Sequence, residues 1–228
     1  MGVSRGEITT RIVKDGLVFN MDAANRASYP RTGTTATDTI GSKSGALTAG
    51  TTFENINKGV FDLDGVDDYI TFGAHSDLNF ASSAQFTREV WFRRTASTVD
   101  EGHFFLIYQQ RRTNIGLGRA AGGVGADNEI YSYIQGSFLG TGVVTVLNRW
   151  YCVALTYNNT TLKIYVDGVE EASGTRTAES MSGYEVQFGG PFGNYLNGNI
   201  GPVHIYNRAL SAEEVLSNYN GLRGRFGV

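Results

Sequence analysis

Three aspartates, Asp64, Asp67 and Asp68, fall within five residues around Gly65, in the run Val60-Phe61-Asp62-Leu63-Asp64-Gly65-Val66-Asp67-Asp68-Tyr69-Ile70. Carboxylate oxygens are hard donors, so this grouping suits Ca2+ better than any transition metal. The spacing is not that of an EF-hand loop, and aspartates beside a turn glycine also serve by accepting hydrogen bonds from their own backbone. Both uses stay open, structural calcium or turn chemistry. A second kind of site is suggested by aromatic residues set among amides, the combination that stacks on a sugar face and bonds its hydroxyls. Trp91, Tyr131, Tyr133, Tyr184 and Tyr195 are the candidates, and Tyr195 follows Asn194 in the Asn-rich run Phe192–Asn197. Trp91, Tyr195 and Asn194 are expected at a glycan contact. The competing use of each ring is packing between or along sheets.

Other chemistry is poorly supported. The three histidines, His75, His103 and His204, are accompanied by no strand-turn-helix nucleophile elbow, so a hydrolytic triad is not indicated. The Gly-rich run Gly116–Gly125 misses the G-x-G-x-x-G spacing, and no helix-forming run follows it, so it reads as a loop. The single cysteine, Cys152, sits in an apolar run, which predicts a buried residue and no disulfide within the chain. A formal net charge of -3 argues against partners such as nucleic acid or an anionic membrane. Residues 1–15 are polar, with Arg5, Arg11 and Lys14 and no apolar h-region, and no apolar run elsewhere is long enough to span a bilayer. Synthesis and folding in a cytoplasm are therefore expected. On that expectation the Asn-x-Thr triplets at Asn158 and Asn159 are turn residues or chance.

The elements that must carry these residues are strands. Gly 30, Tyr 12 and Phe 13 against 18% charged residues favour β structure, and with Pro at 3 the turns must rest on Gly, Asn and Asp. Trp150–Tyr157 is apolar on both alternating faces, which predicts a central strand buried on two sides. Asn158–Thr161 then supplies a turn, and Leu162–Val166 alternates as a strand with one wet face before the turn Asp167-Gly168. Further strands are read at residues 17–22, near 46–48, at 60–64, 69–72, 86–93, 103–108, 114–117, 129–134, 138–146, 184–189 and 198–206, about a dozen in all. Arg88 interrupts the apolar face of the strand holding Phe86, Val90 and Phe92. Asp64-Gly65 marks a hairpin or a sharp corner. One helix is expected after Ser211, whose capping box with Glu214 and staple of Leu210 on Val215 are legible, with a stop at Asn220-Gly221.

Several of these phrases carry a resemblance. W-x-x-V-x-L-T-Y followed by L-K-I-Y-V-D-G resembles the laminin G-like, concanavalin A-like jelly-roll superfamily. Phe61-Asp62-Leu63-Asp64-Gly65-Val66-Asp67-Asp68-Tyr69-Ile70, Phe86-Thr87-Arg88-Glu89-Val90-Trp91 and Ile205-Tyr206-Asn207-Arg208-Ala209-Leu210-Ser211-Ala212-Glu213-Glu214-Val215 are similar to that superfamily as it occurs in structural proteins of tailed bacteriophages. The opening Gly16–Asn25 and the ending Asn218–Val228 are similar to the same proteins, so the resemblance spans residues 16–228.

It implies an all-β concanavalin A-like jelly-roll sandwich of two antiparallel sheets with one short C-terminal helix. The domain plan is then a polar arm at 1–15, the sandwich at 16–210, and a helix and tail at 211–228. The implied function is a non-catalytic structural component of a bacteriophage virion, such as a capsid decoration, head fibre or tail-fibre protein, assembled in the host cytoplasm. Its partners would be other virion proteins and further copies of itself. The alternative is a carbohydrate-binding adhesion module meeting host surface glycans. A glycan-active enzyme is the third reading. The fold includes glucanases, yet the Glu-x-Asp-x-x-Glu run of laminarinase-type members is absent, as are the Gln-x-His and Tyr-Lys motifs of alginate lyases. Laminin G-like relatives also hold calcium at the rim of the sandwich. The tail after Gly221, with Arg223, Arg225 and Phe226, reads as an attachment segment in which Phe226 anchors and the arginines meet acidic surface. Docking of the tail on its own sandwich is the other possibility.

Overall fold

The computed structural model describes residues 12–96, 104–109, 113–118, 127–134, 136–178, 180–190 and 195–228. Its strands form two antiparallel sheets. The first runs β14 (Val169–Thr175), β13 (Thr161–Val166), β12 (Trp150–Tyr157), β7 (Phe86–Arg94), β16 (Asn197–Tyr206), β5 (Val60–Asp64) and β4 (Thr52–Glu54), with β1 (Leu17–Met21) also paired to β16. The second runs β11 (Ser137–Val144), β10 (Glu129–Ile134), β9 (Thr113–Leu117), β8 (Phe104–Tyr108), β15 (Val186–Phe188), β6 (Ile70–Phe72), β3 (Ser44–Leu47) and β2 (Thr35–Thr37). The sixteen strands among the described residues exceed the dozen read from sequence: β2 and β4, at three residues each, are too short to show a period, and β14, Val-Glu-Glu-Ala-Ser-Gly-Thr, lies largely exposed at the sheet edge with no apolar alternation.

Strand β12 is buried along its whole length, and its two faces enter different layers. Tyr151, Val153, Leu155 and Tyr157 join the core between the sheets. Trp150 and Cys152 face the opposite way, into an apolar layer beneath the helix α1 (Ala212–Phe226). Arg88, the break in the β7 pattern, also points into the sandwich. It donates to the Thr113 carbonyl, Gln109 and Met181 Sδ, and burial lowers its guanidinium to about 9.

Asp64-Gly65 is a corner rather than a hairpin. Strand β5 ends there in the first sheet, and the chain re-emerges as β6 in the second. At the far end of the chain, Ser211 caps α1 and makes the reciprocal bond with Glu214. The predicted stop at Gly221 is overturned. The helix continues through Gly221 and Gly224 to Phe226 and ends at Gly227. Val215, Tyr219, Leu222 and Phe226 keep a helical spacing, and all four pack into apolar layers against the first sheet. Burying Phe226 is worth roughly 2 kcal/mol or more, which offsets the roughly 1 kcal/mol each internal glycine costs.

Candidate functional site

The corner gathers the aspartates. The carboxylates of Asp64, Asp67 and Asp68 offer oxygens that all lie within 4.8 Å of one another, with Asp64 and Asp67 exposed and Asp68 buried. Gly65 is at φ +80°, and a Cβ there would lie 2.6 Å from Asn197 Cβ, so both the turn and the close approach of β16 require glycine. Asp68 is the pin: Oδ1 accepts from the Gly50 amide at 2.6 Å and Oδ2 from the Asp64 amide at 3.0 Å. Asp64 Oδ1 accepts from the Val66 amide at 2.8 Å, an Asx turn. Asp67 takes no such bond among the described residues. Turn chemistry therefore occupies Asp68 fully and Asp64 in part. The oxygens left outward on Asp64 and Asp67 are hard donors that fit calcium, and they are the ones that would reach an ion.

Tyr69 and Tyr195 stand beside this corner, stacked at 6.2 Å between ring centroids and 28° between planes, both partly exposed. Thr48 holds Tyr69 through its backbone: Thr48 Oγ1 donates to the Tyr69 carbonyl at 2.6 Å and accepts from its amide at 3.1 Å. The Tyr195 ring lies against Gly190, where a Cβ would sit 2.4 Å from Cδ1 and 3.4 Å from the Asp68 carbonyl oxygen. A partly exposed aromatic pair, exposed carboxylates and the Asn197 amide thus share one rim of the sandwich. Asn197 Nδ2 donates to the Asp64 carbonyl at 2.6 Å.

Strand pairing extends the polar surface where spacing in sequence gave no sign of it. Asp62 faces Asn199 on β16, which faces Arg93 on β7. Asn199 Nδ2 donates to Asp62 at 2.8 Å and to Glu54 at 3.0 Å, while Arg93 donates to Asn199 Oδ1 and lies 3.7 Å from Glu54. Burial, then the charge of Glu54, raises the Asp62 carboxyl. Two carboxylates are therefore close, but Asn199 occupies the space between them.

The remaining sequence candidates lie elsewhere. Trp91 is fully buried beneath α1, stacked on Tyr219 and Phe226, so it offers no face to a sugar. Its place on β7 opposite Cys152 puts it on the face that the helix covers. Tyr131 is buried against Phe138, and Tyr133 packs edge-on against the same ring. Asn194 lies outside the described residues. Of the attachment residues, Phe226 is buried on Trp91 and Trp150. Arg225 grips Asp22 at 2.7 and 3.0 Å and donates to the carbonyls of Asn57 and Gly59. These two residues are thus committed to the protein's own body, because the helix carries them past Gly221. Arg223 remains exposed, over the Tyr219 ring. Of the N-terminal arm, Arg5 and Arg11 lie outside the described residues, whereas Val13 docks on the helix through Asn218 at 2.8 Å.

Solved structures share this fold. Domain 4 of AbnA, an extracellular arabinanase from Geobacillus stearothermophilus, in complex with arabinotriose, superposes with a TM-score of 0.68 at 16% identity, over 91% of this chain and 100% of that one. The binding domain of botulinum neurotoxin DC, in complex with SialylT, gives 0.70 at 15% identity, over 91% of this chain and 52% of its own. Trypanosoma rangeli sialidase gives 0.66 at 14% identity over 93% of this chain, which spans 33% of the sialidase. No protein of curated function matches the chain by sequence. At these identities the likeness speaks for the fold. A family profile, however, matches residues 64–216, from the aspartate corner to the second turn of α1. The chain belongs to the concanavalin A-like lectin/glucanases superfamily.

Proposed function

We propose that this protein is a non-catalytic carbohydrate-binding module whose sugar contact is the rim formed by Tyr69, Tyr195, Asn197 and the aspartate corner. The observation that carries this reading is the Tyr69–Tyr195 stack, held partly exposed beside the exposed carboxylates of Asp64 and Asp67. An aromatic face stacks on the C–H side of a pyranose or furanose, and carboxylate and amide oxygens accept from its hydroxyls. The arabinotriose complex of a similarly folded domain supports the ligand class. Calcium at the corner would add a Lewis-acidic contact for sugar hydroxyls, with Asp64 and Asp67 as its protein ligands.

Display on a bacteriophage particle, as a decoration or fibre component meeting host glycans, is the setting we infer from the sequence phrases at 61–70, 205–215 and 218–228. A hydrolytic reading draws on the Glu54–Asp62 pair. It is the weaker one, because Asn199 and Arg93 fill the gap that a scissile bond and water would need.

The test is a screen against neutral and sialylated oligosaccharides, arabinotriose among them, followed by calorimetry on Tyr195→Ala and Asp67→Asn. Binding lost in Tyr195→Ala with an unchanged melting curve is the expected result. Binding that survives both Tyr195→Ala and Tyr69→Ala would displace the site, and turnover of a glycan lost in Glu54→Gln would overturn the non-catalytic reading.

A further inference from the structure

The outer face of the first sheet divides in two. Beneath α1 it is apolar, lined by Val60, Trp91, Trp150 and Cys152. Beyond the helix, toward the aspartate corner, alternate residues of the same strands bring polar side chains to this face. Arg93 on β7, Asn199 on β16 and Asp62 on β5 stand side by side in register, and Glu54 of β4 joins them through Asn199. Two residues along the same strands, Asn197 is paired with Asp64, and Thr95 Oγ1 donates to Asn197 Oδ1 at 2.7 Å. Asp64 belongs to the corner, so this strip meets the rim of Tyr69 and Tyr195. Neighbouring strands lie about 4.8 Å apart, and four of them make the strip roughly 15 Å wide, room for a further sugar beside the stack.

The strip is acidic. Glu54, Asp62, Asp64 and Asp67 bring carboxylates to its surface, and Asp68 lies buried just below. The cation among its described residues is Arg93, which is already engaged: it donates to Asn199 Oδ1 and lies 3.7 Å from Glu54. The carboxylates act on one another. Burial first, then the charge of Glu54, raises the Asp62 carboxyl; Asn199 and Arg93 hold it back, and Asp68 adds to the rise. A ligand meeting this surface is therefore sorted by charge as well as by shape. An acidic sugar is repelled by several like charges, and a neutral hydroxyl meets no such gain or loss. An ammonium gains the attraction and donates to groups that only accept.

We propose that the glycan selected here carries a free amine, a hexosamine without its acetyl group, with its ring on Tyr195 and its ammonium at Asp64 and Asp67. The next unit of the sugar chain crosses Asn197 toward Asp62 and Glu54. This inference rests on the rim being the sugar contact, and adds the class of sugar that the rim takes. It applies to the protein with no ion at the corner, since calcium there would claim the same Asp64 and Asp67 oxygens.

Calorimetry on the full chain, in chelator at about pH 6, compares trisaccharides that share one β-1,4 backbone. These are cellotriose, its 2-amino counterpart (the glucosamine trimer) and its uronic acid counterpart. A sugar amine, like an α-amino group, is protonated at that pH, and exposed carboxylates are ionised. The glucosamine trimer should bind about tenfold tighter than cellotriose, and the uronic trimer more weakly than either. Asp67→Asn and Glu54→Gln should each lower the ratio of amine to cellotriose affinity about threefold. At about 1 M salt, where the Debye length is about 3 Å, the ratio should fall toward one. Tyr195→Ala should abolish binding of the amine, which separates this site from attraction to acidic surface in general.

Equal binding of all the trimers, or tightest binding of the uronic one, would overturn the amine class and leave the sugar-binding reading standing. So would an amine that fails to bind while another glycan of the wider screen succeeds. Amine binding that survives both Tyr195→Ala and Tyr69→Ala would remove the rim as its site and overturn the inference. If no glycan of either set binds, the sugar-binding reading falls and this inference falls with it.

Discussion

The indole of Trp91 lies face to face with the ring of Phe226, their centroids 4.5 Å apart and their planes 19° from parallel. Strand β7 supplies the first ring and the last helical turn the second, so the end of the chain closes an apolar layer on the outside of the first sheet. Phe226→Ala should cost about 3 kcal/mol in chemical denaturation, and Phe226→Leu about 1 kcal/mol. Deleting Leu222–Val228 should lower the melting temperature by more than Phe226→Ala, because the Arg225–Asp22 pair is lost as well. A truncated protein that melts like the wild type would show that the layer contributes nothing.

Asp68 and Asp67 should behave oppositely. Asp68 is 2% exposed and holds two backbone amides, so Asp68→Ala should destabilise by about 2–3 kcal/mol. Asp67→Ala should leave the melting curve of metal-free protein unchanged. If calcium sits at the corner, adding it raises the melting temperature of the wild type, and chelator reverses this. Asp67→Ala should then lose that response. A wild-type curve indifferent to calcium and chelator would leave the three aspartates as turn-formers alone.

Asp62 sets a pH dependence of defined sign. Burial first, and then Glu54, raises its carboxyl above the unfolded value, so the folded state holds the proton more tightly. Its ionised form therefore opposes folding. That penalty is absent at low pH and grows as pH rises from about 4 through the raised folded value. Asp62→Asn keeps an acceptor for Asn199 and removes the charge. Stability measured against pH should be flatter for Asp62→Asn than for wild type in that window, and higher at neutral pH. A steeper profile in the variant would reverse the sign.

Cys152 should be chemically silent in the native protein. It is 2% exposed beneath α1, and burial followed by the nearby carboxylates of Glu89 and Asp167 pushes its thiol up. A thiol reagent at about pH 8 should label it only on the timescale of unfolding, and labelling should accelerate in Phe226→Ala. Rapid stoichiometric modification of folded protein would mean that the helix opens readily.

Local pattern determined much of this molecule. Two-faced burial of Trp150–Tyr157, the turn at Asn158–Thr161, the cap at Ser211 and the family phrases depend on neighbours in sequence, and each is read at short range. The helix stop was misread for the same reason. Gly221 looks like a terminus locally, and only the place of Trp91 and Trp150 on the sheet makes it worth carrying the helix on to Phe226.

Which side of a strand faces solvent was decided by the tertiary structure. Sequence set Trp91 on the face opposite Val90 and Phe92, but a sheet has two faces and the chain alone does not say which one a later helix will cover. Likewise Glu54 and Asp62 meet Asn199 through strand order and register, and Tyr69 meets Tyr195 where the segments just before β6 and β16, in different sheets, come together. Residues brought together by a pairing across more than a hundred positions leave no periodic trace, because antiparallel pairing constrains backbone hydrogen bonds and not the identity of distant side chains.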